Sequence, residues 1–519
     1  MAAQPFVRSL PGRLCVALAL SLGVGLAARA GPLVQLDAGR IEGAEEGGAA
    51  VFRGVPFAAP PVGPLRWRPP QPTAGWSGTR EAVAYGPDCL QPPMSAIPGP
   101  GFTNPQSEDC LYLNVWAPKA RPAAPMPVMV WIYGGAFIMG SGSYPDYDGA
   151  HFAEQGVVLV TINYRVGLFG FFAHPALTRE AAGAPVGDYG FMDQVAALKW
   201  VQRNIAAFGG DPSNVTIFGE SAGGFAVNAM LASPAARGLF AKAISESGGG
   251  RSISGGLGWP TLQTAEARGK AWAASAGVSA DDPAALRAIP ADVVLKASSG
   301  PALPGPMVDG QIVPEPIETA LRDGHHAVVP YLVGANSYEE SLLQWLPRAL
   351  AEHERGLGGR RDEAMRLYGE DGKVDPDTAA RRLWGDDFMV APARFLARGM
   401  SASGAPTYLY HYAYAPKAMR GKVPGAPHSA EINLVFANQD RVSMFGEGPD
   451  DAAMADLMHA YWIAFARTGD PNGQGRPVWP AYSASGDVLM DFTNEGPVAV
   501  KGFEKARLDL LDRIYEAGR

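Results

Sequence analysis

Cysteine is close to absent from this sequence: three residues in 519, at positions 15, 89 and 110. A fold held by a lattice of disulfides is excluded, and so are thiolate zinc sites, which need paired cysteines at short spacing. The eight histidines are scattered and no HExxH occurs, so no metal ligand set is expected. Charged residues make up only 18% of the chain and the formal charge is −8. That balance argues against nucleic acid as a partner, because phosphate backbones are bound by clustered cations. No G-K-[ST] loop is present to cradle a nucleotide. Apolar runs stay too short to span a bilayer, and neither an internal repeat nor a block of like charge occurs.

Glycine and proline, by contrast, are plentiful, at 64 and 46 residues, and lack the period of a fibrous repeat. They mark turns in a chain that is 47% hydrophobic, enough to bury a large core. The first thirty residues read as a leader. Arg8 and Arg13 precede an uncharged apolar run, Leu14–Leu26, and Ala28 and Ala30 place small residues at the positions a signal peptidase reads. Cleavage after Ala30 predicts an exported protein, periplasmic or secreted, with no membrane segment left and a single domain over 31–519. Cys15 leaves with the leader. The two remaining cysteines, Cys89 and Cys110, most simply pair in an oxidising compartment.

The rest alternates between two patterns. Val128–Tyr133 and Val157–Tyr164 are continuous apolar runs, as expected of buried parallel strands. Phe191–Phe208 carries apolar residues at helical spacing and stops at Gly209-Gly210. Val215–Phe218 reads as a short strand and Phe225–Leu231 as a helix; Ala241–Ser245 and Tyr331–Val333 supply further strands, and Asp451–Arg467 a long amphipathic helix. Strand-helix alternation of this kind predicts a doubly wound α/β sheet. The Gly/Pro-rich stretches 92–101 and 298–306 read as long surface loops.

Candidate chemistry begins at Gly219-Glu220-Ser221-Ala222-Gly223. An apolar strand runs straight into this G-x-S-x-G and a helix follows, the setting in which a serine is presented on a tight elbow. A serine hydroxyl needs a base to take its proton, and the base needs an orienting carboxylate. On such a fold the acid and then the histidine follow in chain order. His353, His411, His428 and His459 all lie downstream. His411 sits in a β-like run and His459 on the long helix, whereas His428 follows the loop Gly421–Pro427. Among acids, Glu339 and Glu340 both follow the Tyr331–Val333 strand after a short loop, with Asp309 a competitor; residue chemistry leaves Glu339 and Glu340 tied.

Six separated blocks resemble the type-B carboxylesterase family, which includes the cholinesterases. They are Glu108–Asn114 (EDCLYLN), Trp131–Phe137 (WIYGGAF), Asn163–Gly170 (NYRVGLFG), Phe208–Pro212 (FGGDP), Thr216–Gly223 (TIFGESAG) and Thr468–Asn472 (TGDPN). The resemblance implies an α/β-hydrolase fold: a large, mostly parallel, twisted sheet flanked by helices, with long insertions over the site. It implies serine-ester hydrolysis without a cofactor. The family's acid lies five residues after a strand-ending glycine, which from Gly334 selects Glu339; the next position, usually glycine or alanine, is Glu340 here. Pro427–Glu431 (PHSAE) selects His428. Gly135, Ala136 and Ala222 fit the family's three oxyanion donors, with Ala136 in place of a commoner glycine. Glu220 and Ser247 match supporting residues near the acid and histidine, Arg165 and Asp193 match a buried structural ion pair, and Cys89 with Cys110 match the family's first disulfide.

The expected partner is a small-molecule ester. Cholinesterases hold a quaternary ammonium on a tryptophan inside that disulfide loop, but residues 90–109 contain no tryptophan and Phe102 as their only aromatic. A general carboxylesterase for short-chain or aryl esters is therefore expected, with Phe137, Phe225, Trp259 and Phe388 as pocket walls. Some bacterial members of the family act on the tricarballylate esters of fumonisin toxins; a substrate of that kind calls for cations near the pocket, with Arg251 and Arg394 as candidates. Competing readings are an amidase or thioesterase using the same residues, and a recognition protein that kept the fold without the chemistry.

Overall fold

Residues 126–132 and 158–162, both buried almost throughout, lie side by side as parallel strands in an eleven-stranded sheet. The computed structural model describes residues 31–92, 104–120, 122–252, 259–278, 281–298, 304–346, 348–439 and 445–517. The predicted leader and most of the predicted loop at 92–101 lie outside the described residues, as does part of that at 298–306. Residues Pro32–Arg519 pack as one unit.

The strands of the large sheet, in chain order, are β1 (44–46), β2 (49–56), β3 (112–118), β4 (126–132), β5 (158–162), β6 (210–220), β7 (242–246), β8 (331–336), β9 (407–412), β10 (488–493) and β11 (496–501). Across the sheet they run β1-β2-β3-β5-β4-β6-β7-β8-β9-β10-β11. From β5 to β10 every pairing is parallel; the two margins are antiparallel. Strands β4 and β5 are apolar nearly throughout, as expected where helices cover both faces of such a sheet. The expectation of a mostly parallel sheet holds in its middle. Its outermost strands, β1 and β11, are the half-exposed arms of hairpins with β2 and β10 and carry no continuous apolar run to announce them.

Element boundaries shift for physical reasons. The predicted helix 191–208 begins at Tyr189, ends at Asn204 and finishes as a tight 3-10 turn over Ile205–Phe208 before Gly209 at φ 86°. The helix expected over 225–231 starts at Ala222, directly after the elbow serine, and runs to Ala232. The long helix occupies Ala452–Thr468 and is stopped by Gly469 in the left-handed region. It packs on β4 and β6, beside a cluster in which Trp131 meets Phe218 at 4.8 Å and Phe436 at 5.1 Å between ring centroids. Each such aromatic pair adds about 1 kcal/mol beyond its area, and Phe218 lies three residues before the elbow. Cys89 and Cys110 form a disulfide. Arg165 and Asp193 make the expected buried pair, Nε to Oδ2 at 2.7 Å and Nη2 to Oδ1 at 2.8 Å.

Candidate active site

Strand β6 ends at Glu220 and the next helix begins at Ala222, so Ser221 alone makes the corner, at φ 54° and ψ −125°. A non-glycine residue held there costs about 1–3 kcal/mol. The corner is fixed from both sides: the Ser221 N–H donates to the Glu246 carbonyl at 2.9 Å, and the Phe225 N–H donates to the Ser221 carbonyl at 2.9 Å. Gly223 permits the approach of helix to sheet, since a Cβ there would land on the Ile132 carbonyl oxygen.

The acid arrives from β8, whose end at Asn336 is followed by a turn carrying Glu339. Glu339 is 1% exposed. Its Oε1 accepts from the Asn336 N–H at 2.8 Å and from the Ser247 hydroxyl at 2.6 Å, while Oε2 lies 2.5 Å from His428 Nδ1. Glu340 points elsewhere. Its Oε2 stands beside Gly385, and burial, then the neighbouring Asp386 and Glu339, pushes its carboxyl up to about 7. The tie between the two glutamates is broken by direction: the turn aims one carboxylate at His428 and the other at the 376–390 helical segment.

His428 lies in the loop after β9, and that loop is tied to the acid turn by a parallel bridge between Tyr338 and Pro427 and by the His428 N–H donating to Ser341 Oγ at 3.0 Å. With Nδ1–H given to Glu339, Nε2 is the basic nitrogen. Nε2 is buried, has no hydrogen-bond partner among the described residues, and stands 3.1 Å from Glu220 Oε1. Glu220 in turn accepts from the Ser429 hydroxyl at 2.6 Å, with Ser429 held at φ 71°. Burial alone lowers the imidazole, but the charges of Glu220 and Glu339 outweigh it and push His428 up to about 9. Burial raises the Glu220 carboxyl to about 6 against the pull of His428 and Ser429.

The other candidates are accounted for elsewhere. His353 is buried 3.3 Å from Asp387, His411 pairs with Asp491 at 2.9 Å, and His459 Nδ1 lies 2.8 Å from the Val435 carbonyl oxygen. Asp309 accepts three backbone N–H bonds within its own turn. Arg251 and Arg394 do not line the pocket: Arg251 pairs with Asp512, and Arg394 is held by Asp487 at 2.6 Å and Asp509 at 2.8 Å.

Gly135, Ala136 and Phe137 all take positive φ, at 107°, 54° and 61°. This turns the loop after β4 against the elbow, and a Cβ on Gly134 would meet Glu220 O at 2.8 Å and Ser221 Cβ at 3.1 Å. Among the described residues the Gly135 and Ala136 N–H groups donate to no acceptor. Ala136, Ser221 and Ala222 line one cavity of about 580 Å³, and the four expected aromatic walls, Phe137, Phe225, Trp259 and Phe388, line it too. Backbone donors without an acceptor beside an apolar space are what a developing oxyanion needs.

A doubly wound sheet with a strained serine at the C-terminal end of a central strand, and an acid and a histidine on the loops after β8 and β9, defines an α/β-hydrolase. Residues 30–510 match the model of the carboxylesterase family, and the chain belongs to that family. It is 38% identical over 478 residues to the fumonisin B1 esterase of Sphingopyxis macrogoltabida, covering 87% of this chain and 85% of that one. With the para-nitrobenzyl esterase of Bacillus subtilis it shares 36% identity, over 87% of this chain and 92% of that one. The crystal structure of the Geobacillus stearothermophilus carboxylesterase Est55 superposes with a TM-score of 0.80 at 36% identity, covering 92% of this chain and 99% of that one. The protein is a carboxylic ester hydrolase.

Several residues of the site were given no role by the sequence, although Ser429 and Glu431 lie in the PHSAE block that selects His428. Ser429 and Asn336 act only through contacts made by the fold. Glu431, 0% exposed, takes a bond from Asn336 Nδ2 at 2.5 Å, and burial, then Glu220, raises it to about 8. Arg268 reaches the cavity from the helix Leu262–Ser275, and only its spacing from Ala265 and Trp272 could have pointed to it.

The carboxylates around His428 set the pH dependence. A protonated imidazole cannot take the serine proton, so kcat/KM on an aryl ester is expected to rise with pH along a limb near 9, well above an ordinary histidine. Glu220→Gln removes the largest charge favouring the imidazolium, so the limb moves to lower pH, by about one pH unit or more. A pH-rate series on both proteins measures this; an unmoved limb would show that Glu220 does not act on His428 electrostatically.

Proposed function

We propose that the protein hydrolyses short- to medium-chain or aryl esters through a Ser221–His428–Glu339 acyl-enzyme mechanism. The observation that carries this reading is the Glu339–His428 pair, with Nδ1 at 2.5 Å from the carboxylate and Nε2 without a hydrogen bond though 3.1 Å from Glu220, on loops after the strands two and three places along the sheet from the one that ends at the Ser221 elbow. His428 Nε2 takes the Ser221 proton as Oγ attacks the ester carbonyl. The oxyanion is received by the N–H groups of Gly135, Ala136 and Ala222. The alcohol leaves with the proton from His428, and water repeats the sequence on the acyl-enzyme, returning acid and free serine. Glu339 holds the imidazole in the tautomer that leaves Nε2 basic and stabilises the imidazolium; Ser247 and the Asn336 N–H hold Glu339. No cofactor enters any step. Fumonisin is an ester substrate named for one relative, and it belongs with this reading as a bulky candidate.

The test is hydrolysis of 4-nitrophenyl esters from acetate to decanoate beside the matching 4-nitroanilides. A cavity walled by Phe137, Phe225 and Phe388 should raise kcat/KM about three- to four-fold per added methylene between acetate and hexanoate. Anilides turned over as fast as esters would replace the reading with an amidase, and a flat ester profile would remove the acyl pocket from it.

We also infer export, supported by the leader pattern of residues 1–30 and by the Cys89–Cys110 bridge, which suits an oxidising compartment. Mature protein recovered from outside the cytoplasm should begin at Gly31; protein found only in the cytoplasm, with its N-terminus intact, would end this inference.

A further inference from the structure

The cavity in front of Ser221 is apolar on every side but one. Aromatic and aliphatic side chains form its walls, no carboxylate lines it among the described residues, and its single charged group is Arg268. Arg268 stands on the helix Leu262–Ser275, where Ala265, Arg268, Gly269 and Trp272 make one stripe facing the cavity. That stripe is pressed close to the site: Gly269 packs so tightly that a Cβ would land on the Ala173 carbonyl oxygen. The place from which Arg268 reaches the cavity is therefore set by helix packing and not by a loop.

Arg268 also lacks an intramolecular use for its charge. The positions three and four residues away on its helix are Thr264, Ala265, Ala271 and Trp272, so no carboxylate lies at salt-bridge spacing. The nearest acid on the helix, Glu266, takes the Thr178 hydroxyl at 2.5 Å. No ion pair or hydrogen bond involves the Arg268 side chain among the described residues, and the side chain is exposed. Arg251, Arg394 and Arg398, by contrast, are all neutralised by Asp487, Asp509 or Asp512. In a chain of net charge −8, an unpaired guanidinium at the mouth of an otherwise apolar cavity is a local anion receptor.

We propose that this site selects monoanionic esters, in which an apolar body fills the cavity between Ser221 and a distal carboxylate held by Arg268. The inference rests on the esterase reading of Ser221. It adds a specificity determinant distant from the reacting carbonyl, one that binds by charge and acts on substrate capture. One cation, and not a cluster, fits one anionic group on the substrate.

The experiment compares charged and neutral esters of equal length. On the acyl side these are the 4-nitrophenyl monoesters of adipate and suberate against 4-nitrophenyl hexanoate and octanoate. On the alcohol side, the butyrate ester of 4-hydroxybenzoate is set against that of its methyl ester. The readout is the ratio of kcat/KM, anionic over neutral, in wild type, Arg268→Gln and Arg268→Lys. For at least one pair the ratio should fall about ten-fold in Arg268→Gln, chiefly through KM, and be partly restored in Arg268→Lys. The wild-type ratio should shrink as salt is raised, because the contact is exposed. Ratios that do not change between wild type and Arg268→Gln for any pair overturn the proposal while leaving the esterase reading intact. A wild type inert toward every ester overturns both.

Discussion

Ser221→Ala is expected to lower kcat on a 4-nitrophenyl ester by at least about 10⁴-fold, leaving a residue of activity from substrate binding and the oxyanion donors alone. The magnitude follows from the role: once the attacking oxygen is removed, Glu339 and His428 have no proton to move. The same position makes a second demand on the fold. At φ 54° and ψ −125°, Ser221 occupies backbone space that only glycine enters freely, so Ser221→Gly should be inactive and yet more stable, by about 1 kcal/mol. The two variants separate chemistry from folding. A fluorophosphonate probe should label wild type and neither variant, while thermal unfolding should place the glycine variant above wild type. Ser221→Ala retaining a per cent or more of wild-type activity would point to another nucleophile. A glycine variant less stable than wild type would show that the elbow is not strained.

That strain explains what the sequence could and could not announce. The elbow was legible because strand, glycine-flanked serine and helix form a local pattern; everything needed to read it lies within Val215–Ala232. The sheet's centre was legible for a similar reason, since strands buried on both faces must be continuous apolar runs. Its margins were not, because half-exposed hairpin strands such as 44–46 and 496–501 resemble loops in composition. The acid was the hardest member to read. Glu339 and Glu340 differ by one position in a tight turn, and only the resemblance to carboxylesterases favoured the first. The structure separates them by what each carboxylate meets, a matter of backbone direction that composition does not carry. Pocket polarity was less legible still. Arg251 and Arg394 drew notice in the linear chain, yet the fold binds both to the C-terminal helix and brings Arg268 to the cavity instead.

The acid assignment is the one for which a substitution with nearly unchanged shape has the largest consequence. Glu339→Gln should lower kcat by about 10⁴-fold with only a small change in KM. The argument turns on the proton. In the native site Oε1 is already taken by the Asn336 N–H and the Ser247 hydroxyl, so Oε2 receives His428 Nδ1–H. A glutamine keeps its carbonyl oxygen where those two donors demand an acceptor and must then present its NH₂ to Nδ1. The imidazole answers by placing its proton on Nε2, and the nitrogen meant to receive the serine proton becomes a donor. Losing the Glu339 charge also removes one of the three carboxylates, with Glu220 and Glu431, that hold His428 up to about 9, so what activity remains should appear at lower pH than in wild type. Glu339→Asp keeps charge and tautomer but shortens the reach by a methylene, and its loss should be intermediate. Glu340→Gln is the control, because that carboxylate faces Gly385 and not the histidine. If Glu340→Gln lost more activity than Glu339→Gln, the acid would have to be reassigned despite the 2.5 Å contact; if both variants remained active, His428 would be working without an orienting carboxylate.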